Sequence, residues 1–122
     1  MTSPKILIVD DSTVSSALLL SILGKDYNVT TINSGMNAEA LVTSLQPDCI
    51  LLDIMMPGKN GYQVLKELKD NPLTYEIPVI VISSLNENSD QELAIKIGAH
   101  DYIFKPLVPD DVHQKINSCL KF

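Results

Sequence analysis

Three carboxylates, two hydroxyls and one ammonium stand at the ends of short apolar runs in this sequence. Asp10 and Asp11 follow Ile6-Leu7-Ile8-Val9, and Asp53 follows Ile50-Leu51-Leu52. Ser83 and Ser84 follow Val79-Ile80-Val81-Ile82, and Lys105 follows Tyr102-Ile103-Phe104. Brought to one place, the three acids would repel, each making its neighbours harder to ionise. A hard divalent cation relieves that strain. Mg²⁺ takes oxygen ligands in an octahedron and keeps several waters, so carboxylates and one backbone carbonyl would suit it. The cation and the Lys105 ammonium could then neutralise charge on a transferring phosphoryl group. Asp53 would be the nucleophile and the product an aspartyl phosphate. The Ser83 hydroxyl and the Ser84 backbone N–H could each donate to a phosphoryl oxygen.

Whether these residues meet depends on the elements that carry them. The four runs above are strand-length and rich in β-branched or aromatic residues, and a more polar fifth spans Val29-Thr30-Thr31-Ile32. Amphipathic stretches lie between them. The spacing predicts helices with apolar faces at Val14, Ala17, Leu18 and Ile22; at Ala38, Leu41, Val42 and Leu45; and at Gly61, Val64, Leu65 and Leu68. A weaker fourth is anchored by Leu93 and Ile97, and a fifth by Val112, Ile116 and Leu120. Strict alternation of strand and helix predicts an α/β fold, a parallel sheet with helices on both faces. The continuous apolar runs belong at its centre and Val29–Ile32 at an edge. Ligands of such sheets gather at the carboxyl ends of the strands, where the acids stand.

Composition narrows the classes. A chain of 122 residues fits one domain, expected to span 1–122. The net charge of −6 argues against a nucleic-acid face, which needs cationic surface. All nine cationic residues are lysine, so no guanidinium is available to grip a phosphate. No run approaches the ~20 apolar residues that cross a bilayer, and no signal peptide precedes the first strand, so a cytoplasmic place is expected. Cys49 and Cys119 lack metal spacing and make no disulfide framework; Cys49 reads as a core residue. Ser12 and Thr13, and later Pro109 with Asp110 and Asp111, read as helix-start chemistry.

Taken together, the motifs resemble the receiver domain of bacterial two-component response regulators. The matching residues are Asp10-Asp11, then Asp53 within Leu51-Leu52-Asp53-Ile54-Met55-Met56-Pro57-Gly58, then Gly61-Tyr62, and Pro78 through Ser83-Ser84. Gly98-Ala99-His100-Asp101-Tyr102 and Lys105-Pro106 complete the set. The resemblance implies a flavodoxin-like three-layer sandwich with five strands in the order 2-1-3-4-5 and five helices. It implies that Asp53 is phosphorylated by a sensor histidine kinase or phosphotransfer protein. Asp10, Asp11, Asp53 and the Met55 carbonyl would hold Mg²⁺, with Asp11 more direct than Asp10. Ser83 would move toward the phosphoryl group, Tyr102 would turn inward behind it, and Lys105 would contact it. The Lys105–Pro106 bond would be cis. A downstream protein target or output domain would read the change. An enzyme of the haloacid-dehalogenase kind would need a second aspartate two residues past Asp53, where Met55 stands, so turnover of a separate substrate is not expected.

Overall fold

The computed structural model describes residues 3–54, 60–84 and 88–120. Strands and helices alternate: β1 (Lys5–Val9), α1 (Thr13–Leu23), β2 (Asn28–Ile32), α2 (Ala38–Leu45), β3 (Cys49–Asp53), α3 (Gly61–Asp70), β4 (Val79–Ser83), α4 (Asn88–Ile97), β5 (Asp101–Phe104) and α5 (Pro109–Cys119). The five strands are all parallel and lie in the order β2-β1-β3-β4-β5. Each expected strand is found to within a residue or two, and the polar β2 lies at an edge. There it needs only one covered flank, and none of its residues is fully buried.

Two apolar layers flank the sheet, because alternate strand residues point to opposite faces. Leu7, Val9, Ile50, Leu52, Val79 and Val81 face Val42, Val64, Leu65, Leu68 and Ala94 from α2, α3 and α4. Ile6, Ile8, Cys49, Leu51, Ile80 and Ile82 face Leu19, Leu23, Val112 and Ile116 from α1 and α5. Each such side chain contributes roughly 1.5–3 kcal/mol by leaving water. Helix starts follow local chemistry. Ser12 caps α1, its Oγ accepting from Ser15 N at 3.2 Å. Asn60 and Gln63 form a reciprocal capping box at α3. Pro109 sits in the first turn of α5 with Asp110 and Asp111, favourable against the helix dipole.

Two helix faces differ from the spacing-based expectation. In α1 the buried residues are Leu19 and Leu23, with Ile22 packed beside them, while Val14, Ala17 and Leu18 face outward. The helix is apolar around much of its girth, so spacing admits two faces. The one that docks includes Ser16, whose hydroxyl donates to the Asp10 carbonyl at 3.4 Å. A polar residue near the strand end thus belongs to the inward strip, and a reading that follows apolar residues alone turns the helix the wrong way. In α4, Leu93 is exposed and the small Ala94 is the buried anchor, because the helix lies close against its neighbours.

Candidate functional site

Register brings the acids together. Val9 pairs with Leu52 across β1 and β3, so the next step along each strand sets Asp10 beside Asp53. Asp53 pairs with Ile82 and Ser83 with Phe104, which puts Ser83 and Lys105 at the same edge. Asp10, Asp53 and Ser83 are buried, whereas Asp11 is exposed. One carboxylate oxygen from each of Asp10, Asp11 and Asp53 lies within 4.8 Å of the others. Lys105 reaches into the group: its Nζ is 3.6 Å from Asp10 Oδ2 and 3.9 Å from Asp53 Oδ2. Those separations exceed hydrogen-bond length, so the contact is one of charge. Lys105 is positioned by its own backbone, whose N–H donates to the Ser83 carbonyl at 2.9 Å, and the Lys105–Pro106 bond is cis.

The charge balance of this cluster points to a cation. Three carboxylates and one ammonium leave two negative charges in a largely buried group. Asp10 is hydrogen-bonded through one oxygen, its Oδ1 accepting from the Ser12 N–H at 2.9 Å, while its Oδ2 meets only the charge of Lys105 at 3.6 Å. Its Oδ2 is buried with no hydrogen-bond donor among the described residues. A buried carboxylate oxygen in that condition is costly unless a cation or water completes its shell. An all-oxygen donor set is what a hard divalent ion such as Mg²⁺ takes, so the residues present fit the ion. The Met55 carbonyl, the fourth expected ligand, lies outside the described residues. Ser84 is placed just past β4 and is exposed.

On the other face of the sheet, Tyr102 is 1% exposed and already inside. Its ring lies 4.9 Å from that of Phe104, and its hydroxyl hydrogen-bonds the Ser83 side chain. Burial raises the Tyr102 phenol above its ordinary value, and the Ser83 contact opposes that in part. The neutral phenol is therefore the form that suits the fold. Its contribution to stability is complete below about pH 10 and is lost as pH climbs through the raised value. Urea midpoints measured through that range should fall less steeply for Tyr102→Phe than for the parent chain. Tyr27 and Tyr62, also raised by burial, keep their share of the alkaline loss in both. Identical slopes would show that Tyr102 is not held neutral.

Two contributors escape a reading of motifs, and a third is named by its motif without its contact. Ser12 and Ser16 hold Asp10 through its side chain and carbonyl, although the sequence suggests only a cap. Gly61 packs against the backbone of Asp53 and Ile54, and its N–H donates to the Ile54 carbonyl at 3.0 Å. Gly61 stands in the Gly61-Tyr62 motif, but the motif alone does not say what the glycine touches.

This sheet order, with acids at the ends of its central strands and a lysine after the last, defines a flavodoxin-like α/β domain. The response regulator receiver domain family matches residues 6–117, and the chain belongs to that family. Response regulator PleD of Caulobacter vibrioides is 37% identical over 121 residues, which cover 98% of this chain but 27% of PleD. The chain thus spans about a quarter of that relative's length. Two-component response regulator ORR5 of Oryza sativa subsp. japonica is 35% identical, covering 98% of this chain and 90% of ORR5. Among solved structures, the BeF3-activated receiver domain of Klebsiella pneumoniae RstA superposes with a TM-score of 0.89 at 31% identity, covering 97% of this chain and 99% of that one. The receiver domain of a signal transduction histidine kinase from Syntrophus aciditrophicus gives 0.87 at 30%, covering 97% and 90%.

Proposed function

We propose that this chain is a phosphorylation switch in which Asp53 accepts a phosphoryl group, in a Mg²⁺-dependent reaction, from a sensor histidine kinase or phosphotransfer protein. The observation that carries this reading is the meeting of Asp10, Asp11 and Asp53 within 4.8 Å, with Lys105 facing two of them. An Asp53 carboxylate oxygen attacks phosphorus as the bond to the donor breaks, and the donor leaves with that bond's electron pair. Lys105 meets the negative charge on the phosphoryl oxygens. The Ser83 hydroxyl and Ser84 N–H donate to them. Asp10, Asp11 and the Met55 carbonyl, with Asp53, are the residues that would hold Mg²⁺, which supplies charge neutralisation when bound.

The added charge draws Ser83 and Lys105 toward the phosphoryl group. Ser83 exchanges its contact with Tyr102 for one with phosphate, and α4 and β5, which frame Tyr102, present a different surface to a protein target or output domain. Moving a population from 1:99 to 99:1 takes ~5.5 kcal/mol, which a few charge-assisted hydrogen bonds can supply. The chain acts on itself and turns over no separate substrate. The acidic surface fits protein partners, not nucleic acid. No helix among the described residues is long and apolar enough to cross a membrane, in keeping with work in the cytoplasm.

Incubation with acetyl phosphate tests the reading. With Mg²⁺ the intact mass should rise by one phosphoryl group, and excess EDTA should reduce that yield by at least about tenfold, as expected when several kcal/mol of charge stabilisation go. Equal labelling with and without the metal would refute the metal's part.

A further inference from the structure

The fold brings together two thiols that lie 70 positions apart in sequence. Cys49 Sγ and Cys119 Sγ are 3.2 Å from each other, and both cysteines are free. Cys49 is fully buried at the start of β3, and Cys119, in the last turn of α5, is partly open to solvent. Nothing in the phosphoryl chemistry uses them. Asp53 lies on the same face of β3, but four residues away at its other end, about 13 Å off.

We propose that Cys49 and Cys119 form a redox couple, which a hydroperoxide converts to an intramolecular disulfide fastening the end of α5 to the start of β3. The inference is independent of the phosphoacceptor reading. Cys119 is the residue that meets the oxidant, because it is the one solvent reaches. The hydrogen bond between the two thiols lowers the Cys119 thiol, while the same bond and then burial push the Cys49 thiol up. Cys119 is thus the more readily ionised of the two thiols.

Two steps follow. The Cys119 thiolate attacks a peroxide oxygen: an S–O bond forms, the O–O bond breaks, and the departing oxygen leaves as water or alcohol with the proton from Cys119. Cys49 sulfur then attacks the sulfenic sulfur. The S–S bond forms, the S–O bond breaks, and hydroxide leaves as water with the Cys49 proton. The two thiols give up two electrons and the peroxide takes both. No large movement is needed, since the sulfurs are in contact and α5 is already seated through Val112 and Ile116.

The test uses the whole chain, reduced and then exposed to hydrogen peroxide. Both thiols should disappear together, with loss of two hydrogens from the intact mass and a linked peptide pair containing Cys49 and Cys119. The melting temperature should rise by about 10 °C, because a bond closing a long loop restrains the unfolded chain. Dithiothreitol should reverse the rise. Cys119→Ser, at a partly exposed position, should fold normally and show no peroxide-induced rise. Acetyl phosphate labelling of the parent chain should be equal in the two redox forms, since the bond forms at the far end of β3. Oxidation of Cys119 to sulfinic acid with Cys49 still free would overturn the proposal. So would a disulfide between two copies, or an internal bond that leaves the melting temperature unchanged.

Discussion

Asp53→Asn should take up no phosphoryl group from acetyl phosphate and yet remain folded, with a melting temperature equal to or a few degrees above that of the parent. The amide has nearly the shape of the carboxylate it replaces, so packing around a side chain only 4% exposed is kept. It lacks the charge and lone-pair basicity that attack phosphorus requires. The stability side has its own sign. Removing one of three acids within 4.8 Å relieves like-charge repulsion of order 3 kcal/mol per pair at an effective dielectric near 20. Loss of the attraction to Lys105, 3.9 Å away, offsets part of that. Intact-mass measurement after acetyl phosphate treatment and a thermal melt settle both halves. Retained labelling would move the acceptor to Asp10 or Asp11 and sink the assignment of Asp53.

Gly61→Ala should lower the melting temperature by about 10 °C and slow phosphoryl uptake about a hundredfold. A β-carbon at Gly61 would stand 2.4 Å from the Asp53 carbonyl oxygen and 2.5 Å from Ile54 Cα. Both are backbone atoms, which cannot swing aside as a flexible side chain would. The start of α3 must therefore move away from the end of β3, and the 3.0 Å bond from Gly61 N–H to the Ile54 carbonyl is strained or lost. Overpacking of this kind costs about 1–3 kcal/mol or somewhat more, which for a domain this size is about 10 °C. The same push reaches Asp53 through its own carbonyl. A misplacement near 1 Å at a reacting group costs about a hundredfold in rate. A variant that melts and labels like the parent would show that the contact yields without consequence. Gly98 makes a useful comparison: its φ of +135° imposes strain on any side chain there, but the nearest obstacle is the flexible Lys69 stem, far from the acids.

Much of the architecture was legible because burial on both faces of a parallel sheet demands continuous apolar runs. Ile6–Val9, Ile50–Leu52 and Val79–Ile82 satisfy that demand, while the polar Val29–Ile32 run could only lie at an edge. The acids at those run ends were equally plain, since a parallel sheet collects all its strand ends on one side. The facing of α1 was not legible. With Val14, Ala17, Leu18, Leu19 and Leu20 all apolar, periodicity offers no unique stripe, and the docked face is chosen by Ser16 reaching Asp10 and by Leu19 and Leu23 fitting the sheet. The inward seat of Tyr102 against Ser83 likewise depends on β4 and β5 lying side by side.

The order of residue types along the chain therefore determined which elements form and which chemistry stands at their ends, because strand and helix patterns and strand-end acids are local properties. Tertiary structure alone decided which atoms touch. The approach of Gly61 to Asp53, the orphaned oxygen of Asp10 and the contact of Cys49 with Cys119 all join residues that no local spacing relates. The physical reason is that such contacts are set by how helices settle on the sheet, which depends on the sum of many packing interactions and leaves no mark at any one position.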